Sequence, residues 1–265
     1  MNNGPEKRCW NVLWMLPDIL CLHGGRGDAM ALARQAETFG ACIDMRRVSR
    51  LSEHIDFLWA DLLLFGPGEL AALPAVRDAL WKEQGALDEY LAAGKGVFCT
   101  GTTGALFAKE THRADGSVWE GLGALDMVCR ERDMPYGDDL VFRAPGLDRA
   151  VCGVQIQMVD TELAEGQAPL GDVLYGRGNG AGSGGAAAAE GAVRTGLVWT
   201  NALGPVLAKN PWFTLWLMKR LLPGGEALPE TDDDDVSVQW GLETESARAI
   251  WLFNEKKGKP HASET

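Results

Sequence analysis

The sequence lacks several features that would each assign it to a class of proteins. No run reaches the ~18 apolar residues that cross a bilayer, so we expect a chain that is not embedded in a membrane. Basic residues are in the minority, with 25 Lys and Arg against 37 Asp and Glu. The resulting net charge of -12 argues against nucleic acid as a partner. Residues 10–22 are apolar but are interrupted by Pro17 and Asp18, which argues against a signal peptide.

Paired metal-ligand and phosphate-binding motifs are also missing. The six cysteines contain no C-x-x-C pair and stand mostly in apolar segments. This pattern predicts reduced thiols in a cytoplasmic protein, not a disulfide framework or a zinc site. The glycine-rich stretch at residues 176–191 lacks G-K-[ST] and predicts a flexible loop instead of a phosphate loop. We therefore expect no metal and no cofactor.

The periodic segments that are present predict one α/β domain. Strands are expected at residues 10–15, 41–48, 59–65, 96–100 and 195–202, and helices at 29–39, 74–93 and 212–222. Asp28 is the expected N-cap of the first helix. Alternating strands and helices indicate a doubly wound, flavodoxin-like and mostly parallel sheet, with β-rich excursions over residues 119–174.

The chain divides into a domain at residues 10–223 and an acidic extension at residues 224–265. The extension carries the acidic run 232–235 and a possible helix at residues 243–253. Its Trp240 and Trp251 either form a docking surface for a partner or pack on the chain's own domain.

Five segments, in order along the chain, match the motifs of one family. They read LPDILCLHGGRGDAMAL (16–32), DLLLFGPGEL (61–70), VFCTGTTGALF (97–107), DGSVWEGLGALDM (115–127), and a fifth in two parts, PLGDVLYGRGNG (169–180) and LGPVLAKNP (203–211). Together they resemble class I glutamine amidotransferases, in particular the CobB/CobQ-like branch and its GatD-type subunits. The resemblance covers residues 12–222 and implies the fold of that family.

The resemblance also implies a site, which is altered in this chain. Members of the family hydrolyse glutamine through a cysteine thioester, with a histidine as base and backbone N–H groups around the oxyanion. Gly101 stands at the nucleophile position and Leu203 at the base position, so neither essential side chain is present. The candidates for oxyanion or substrate binding are Gly66, Gly68, Thr102 and Arg26; Arg26 either binds an anion or braces its loop.

A second way of aligning the elbow motif would retain a catalytic cysteine. Cys99, Thr100 and Gly101 also fit C-x-G, with Cys99 as the alternative nucleophile and His23 as the alternative base. In the first register Cys99 is a buried strand residue. A third interpretation keeps the fold and gives a threonine hydroxyl of the elbow, at Thr100, Thr102 or Thr103, a different role.

The family resemblance carries a prediction about function. It implies a catalytically degenerate subunit that partners a Mur-ligase-like (MurT-type) protein, in the amidation of a peptidoglycan precursor for cell-wall biogenesis. Glutamine is a possible ligand. The alternative is an active glutamine amidotransferase that uses Cys99 to release glutamate and ammonia.

Overall fold

The computed structural model describes residues 8–180, 188–230 and 239–257. Its strands form two sheets, with helices around the first, and the five strands predicted individually all belong to that first sheet. The strands are Cys9–Met15 (β1), Cys42–Val48 (β2), Leu62–Phe65 (β3), Gly96–Thr100 (β4), Glu110–His112 (β5), Val118–Glu120 (β6), Met127–Arg143 (β7), Val151–Leu163 (β8), Gly171–Tyr175 (β9), Ala189–Glu190 (β10), Ala192–Arg194 (β11) and Leu197–Thr200 (β12).

The first sheet has the order β2-β1-β3-β4-β12-β11. Its first five strands pair in parallel, and only β11 runs antiparallel to its neighbour. Parallel neighbours require crossover connections, and helices supply several of them. The predicted doubly wound α/β fold is therefore confirmed. Because the strands are parallel, β3, β4 and β12 all end at one edge, where such folds build their sites.

Seven helices lie in the described ranges of the chain. They are Gly25–Thr38 (α1), Leu73–Trp81 (α2), Gln84–Ala92 (α3), Gly104–Phe107 (α4), Val206–Lys209 (α5), Pro211–Leu221 (α6) and Gly241–Lys257 (α7). The expected long helix at residues 74–93 is two helices, with Glu83 outside helical geometry between them. The Glu83 carboxylate accepts the Ile55 N–H at 3.0 Å and pairs with His54 at 2.8 Å. This tertiary contact accompanies the break and was not visible in the helical pattern.

Strands β5 to β10 form the second sheet, and the β-rich excursions that the sequence predicted over residues 119–174 fall within it. Its long strand β7 pairs with β8 along one edge, while β5 and β9 share the other edge. A bulge between Glu131 and Tyr136 shifts the register of the β7–β8 pair. The first sheet and β8 meet at an isolated bridge between Val154 and Leu203. The second sheet thereby lies against the carboxyl edge of the first.

Side chains of the first sheet alternate between two apolar layers. Leu63, Val97, Cys99 and Trp199 belong to one layer. Their strand neighbours, among them Leu62, Phe98 and Val198, belong to the other. Apolar residues on both faces explain why these strands read as continuous apolar runs. They also place the Cys99 side chain within a core layer.

The cysteine prediction is wrong for one pair. Cys9 and Cys42 stand directly opposite each other in the parallel pairing of β1 and β2, and they form a disulfide. Their Cα atoms are 4.5 Å apart, a separation that a disulfide can bridge. A 33-residue separation gave no spacing motif, so only the strand register reveals the pair. Cys21, Cys99, Cys129 and Cys152 are free.

The C-terminal helix α7 is longer than the expected segment 243–253. Trp240, which precedes it, is buried and packs against Trp212 with ring centroids 6.4 Å apart. Trp251 is partly buried. The acidic run 232–235 and residues 181–187 of the glycine-rich stretch lie outside the described residues. Within the described ranges, no helix has the length and apolar character to cross a membrane.

Candidate functional site

The predicted elbow begins where β4 ends, at the edge of the first sheet. Gly101 has φ +60° and opens a short helical turn that continues into α4. Residues other than glycine rarely adopt this backbone conformation, although nucleophile elbows hold their nucleophile on such a strained turn. The Gly101 carbonyl accepts a hydrogen bond from the Trp199 indole at 2.8 Å. This bond fixes the turn to β12.

Leu203 lies directly beside Gly101. Leu203 follows the end of β12 and is buried. Its backbone exchanges two hydrogen bonds with Val154 of β8, at 2.8 and 3.1 Å. A Cβ at Gly101 would lie 3.0 Å from Leu203 Cδ2 and 3.1 Å from the Pro67 side chain. The structure therefore brings together the two positions that the resemblance assigns to nucleophile and base. Neither carries a group that can transfer a proton or attack a carbonyl.

The glycine loop after β3 lies on the other side of this contact. Gly66 and Gly68 both press against the loop that follows β1, and a Cβ at Gly66 would lie 2.4 Å from the Leu20 carbonyl oxygen. Gly66 therefore requires glycine, and at Gly68 a Cβ would have to displace the end of the Leu20 side chain.

The Gly68 amide, the candidate oxyanion donor, already has a partner inside the protein. Its N–H donates to Thr102 Oγ1 at 3.1 Å, and the Thr102 hydroxyl donates to the Gly68 carbonyl at 2.6 Å. Thr102 is 8% exposed. Its hydroxyl thus takes the place at the Gly68 amide that an oxyanion would need.

The loop before α1 contributes His23, and the first turn of α1 contributes Arg26. Both are exposed, and among the described residues neither side chain makes a hydrogen bond or an ion pair. The His23 carbonyl accepts the Gly204 N–H at 3.0 Å. Gly27 packs so closely on Pro205 that a Cβ there would lie 2.5 Å from Pro205 Cγ. This close packing joins the first turn of α1 to the turn that follows Leu203.

A small cleft of about 70 Å³ opens between these loops. Its lining includes His23, Gly68, Glu69, Thr102 and Leu203. Ile156 and Met158 of β8 close one side. Pockets for small ligands usually enclose about 300–1,000 Å³, so Leu203, Thr102 and the β8 side chains leave little room here. No sequence pattern indicates that β8 reaches the elbow, because that contact depends on how the two sheets pack.

Cys99 lies away from this cleft. Its side chain is fully buried, and burial raises the pKa of the thiol well above its ordinary value. The sulfur donates a long hydrogen bond of 3.8 Å to the Val198 carbonyl. No histidine in the described ranges bonds to it. The structure does not bring Cys99 together with His23, which is exposed in the cleft.

Asp28 connects two helices next to the site, a role that the sequence did not indicate. Helix α1 begins at Gly25, three residues before the expected cap, so Asp28 falls within its first turn. The buried carboxylate accepts the Leu207 N–H at 2.7 Å and so connects α1 to α5. Burial raises its pKa from 3.8 to about 7.

A second buried acid, Glu190, braces the chain just before Leu203. Its carboxylate accepts the Thr200 hydroxyl at 2.6 Å and the Asn201 N–H at 2.7 Å. The Asn201 amide also bonds to Asn179 at 2.9 Å. Burial raises the pKa of Glu190 despite these bonds. Glu190 and Asn179 fall in the glycine-rich stretch that was predicted to be a flexible loop, so no pattern singled them out.

Comparison with known proteins agrees with this architecture. No protein-family model matches the sequence. A solved glutamine amidotransferase superposes with a TM-score of 0.51 and 17% identity, over 77% of this chain and 97% of that chain. A second one, from Thermotoga maritima, gives a TM-score of 0.45 and 13% identity over 91% of this chain and 98% of its own, and adds nothing to the assignment. The chain has the fold of the class I glutamine amidotransferases.

Within that class the sequence points to one type of subunit. The chain is 24% identical over 206 residues to the lipid II isoglutaminyl synthase (glutamine-hydrolyzing) subunit GatD of Streptococcus pneumoniae strain ATCC BAA-255 / R6. The match covers 76% of this chain and 75% of that protein. Sequence and fold together support a GatD-type, class I glutamine amidotransferase-like protein.

Proposed function

We propose that this chain is a GatD-like amidotransferase subunit that has lost glutamine hydrolysis and serves as the partner of a Mur-ligase-like (MurT-type) amidating enzyme. One observation carries the proposal. Gly101 and Leu203, at the nucleophile and base positions, contact each other, so the space where a thiol and an imidazole would act holds an isobutyl group. A thioester mechanism needs both missing groups.

The state of the candidate oxyanion site supports the same proposal. Hydrolysis requires N–H donors that are free to meet the developing oxyanion. At Gly68 the donor is held by the Thr102 hydroxyl. The cleft of about 70 Å³ is also small for a ligand. Loss of the nucleophile, the base and the free donor is consistent with a scaffold that no longer performs the reaction.

The alternative, an active enzyme that uses Cys99, has less support. A thiolate is the reactive form of cysteine, and burial in apolar surroundings disfavours it. Cys99 is fully buried with a raised pKa, and its sulfur bonds to a backbone carbonyl. For the alternative to hold, Cys99 would have to leave the core layer and reach the elbow.

The role in cell-wall precursor amidation rests on the similarity to the S. pneumoniae GatD subunit, whose name places it in lipid II isoglutaminyl synthase. By this proposal the partner enzyme of the present chain takes its nitrogen from free ammonia and works in the cytoplasm. The four free thiols support a reducing compartment such as the cytoplasm, whereas the Cys9–Cys42 disulfide is a feature that is uncommon there.

The test is an amidation assay with the purified chain and a co-encoded Mur-ligase-like protein, supplied with either glutamine or an ammonium salt. We expect the two proteins to copurify and amidation to depend on ammonium. Amidation driven by glutamine and abolished by Cys99→Ala would replace this proposal with the active-enzyme alternative. Failure to copurify, with ligase activity unchanged by the chain, would refute the partnership.

A further inference from the structure

A second pocket, separate from the elbow, lies between α7 and the second sheet. It encloses about 280 Å³ and shares no lining residue with the elbow cleft. Leu174 of β9, Trp212 of α6 and Trp251 of α7 supply much of its apolar surface. Its size is close to the lower end of small-ligand pockets, which begin at about 300 Å³.

Three arginines from three different parts of the chain line this pocket. Arg143 ends β7, Arg149 lies in the connection to β8, and Arg248 comes from α7. None of the described residues that line the pocket is acidic. A concentration of positive charge is unexpected in a chain whose net charge is -12. It indicates a local function, because solubility alone would not gather the arginines around one cavity.

Two of the three arginines, Arg143 and Arg248, have few negatively charged neighbours. The Arg143 side chain is exposed and forms no ion pair or hydrogen bond within the described ranges. Asp172, its neighbour across the sheet, is exposed and outside ion-pair distance. Arg248 approaches Glu245 only at 3.9 Å, with both side chains largely exposed. Such a surface contact contributes little. Both guanidinium groups therefore keep most of their capacity to bind an anion.

Arg149 is held in position by neutral groups. Its guanidinium donates to the Thr244 hydroxyl at 3.0 Å and lies over the rings of Trp212 and Trp240, at 5.6 and 6.0 Å from their centroids. These contacts orient the side chain without cancelling its charge. Because they are made to α6 and α7, the C-terminal helix forms part of the pocket.

We propose that this pocket binds a phosphate monoester that carries an apolar or aromatic group. A phosphate monoester has a charge of about -1.5 to -2 at neutral pH and three strong acceptor oxygens, which suits three guanidinium groups better than a single carboxylate would. Planar guanidinium forks bind such oxygens in pairs. The organic part of the ligand packs on Leu174 and Trp251 in the apolar half of the pocket.

Isothermal titration of the full chain with phenyl phosphate tests the proposal. We expect saturable binding in the micromolar to millimolar range that weakens as salt is added. Phenol and inorganic phosphate each lack one half of the ligand and should bind at least about tenfold more weakly, since one charged hydrogen bond corresponds to about that factor. Benzoate should bind more weakly than phenyl phosphate. Equal binding of the two would contradict the choice of phosphate over carboxylate.

Arg143→Gln and Arg248→Gln are the informative variants, because both side chains are exposed and hold no structural contact that folding would need. Each should weaken phenyl phosphate binding by about tenfold. Arg34→Gln is the matched control, since it removes the same charge from an exposed site on α1, far along the chain from the pocket. Binding that is unaffected by both pocket variants, lost equally in the control, or absent from the wild-type chain at millimolar ligand would overturn the proposal.

Discussion

Leu203 Cδ2 lies only 3.0 Å from the position that the Cβ of any side chain at Gly101 would take. The two residues are 102 positions apart in sequence, and they meet because β4 and β12 are parallel neighbours that end at the same sheet edge. Under the proposed loss of glutamine hydrolysis, this contact explains how a glycine and a leucine can occupy the two positions together. A leucine fills the space that a glycine leaves.

The energetic coupling of this pair can be measured. Gly101→Ala should lower the free energy of unfolding by about 1–3 kcal/mol, because alanine is strained at φ +60°, and the approach to Leu203 adds to this cost. Leu203→Ala alone should cost about 2–5 kcal/mol as a buried cavity. We expect the destabilisation of the double variant, measured by urea unfolding, to be smaller than the sum of the two single-variant values by about 0.5–3 kcal/mol. Strictly additive costs would show that the side chains do not meet.

The bond between Thr102 and Gly68 makes a second prediction. Thr102→Val keeps the shape of the side chain but leaves a buried N–H without its acceptor, so it should destabilise the chain by about 1–3 kcal/mol. Thr102→Ser keeps the hydroxyl and should stay closer to the wild type. Chemical denaturation of the two variants decides the matter. If the valine variant is as stable as the serine variant, the hydroxyl does not hold the Gly68 amide.

Asp28 gives the protein a pH-dependent stability. Its pKa is about 7 in the folded chain against 3.8 for the ordinary group, so the folded state holds the proton more tightly than the unfolded state. Its contribution is therefore most favourable below about pH 4 and is lost progressively as pH rises to about 7. The loss amounts to about 4 kcal/mol for a shift of this size.

Asp28→Asn removes the titrating proton and retains an oxygen for the Leu207 N–H. Unfolding free energies of variant and wild type should diverge in favour of the variant as pH rises from about 4 to about 8. The pH slope is the readout, so a constant offset between the two proteins does not matter. Parallel pH profiles would show that Asp28 titrates normally in the folded chain.

The disulfide predicts a count of thiols. Unfolded without reductant, the chain should expose four reactive thiols, because Cys9 and Cys42 are bonded to each other. After reduction it should expose six. A Cys9→Ser/Cys42→Ser variant should give four under both conditions. Six thiols in the unreduced wild type would mean that the bond is not formed in solution.

The sequence was a good guide where local pattern determines structure. The apolar run at residues 59–65 and the segment at 96–100 predicted strands, which the structure has at Leu62–Phe65 and Gly96–Thr100. The order of strands and helices predicted the doubly wound sheet. The family motifs singled out Gly101 and Leu203 together, and the structure places these two residues side by side. Their contact, however, depends on the packing of three loops, which no local pattern contains.

The errors have a common physical origin in long-range contacts. Asp28 is of a residue type that commonly caps helices, but it lies in the first turn of α1 and bonds to Leu207, 179 residues away. Glu83 accompanies a break in the expected long helix through its bonds to residues 54 and 55. Cys9 and Cys42 pair through strand register alone. Each case required the positions of residues distant in the chain.

The absence of glutamine hydrolysis is the central claim, and glutaminase turnover tests it most directly. Glutamate release should be measured with the purified chain, alone and with a co-encoded Mur-ligase-like protein, against Cys99→Ala as control. We predict no release above the control in either condition. Release by the wild type that disappears in Cys99→Ala would contradict the account and show that a relocated thiol performs the reaction.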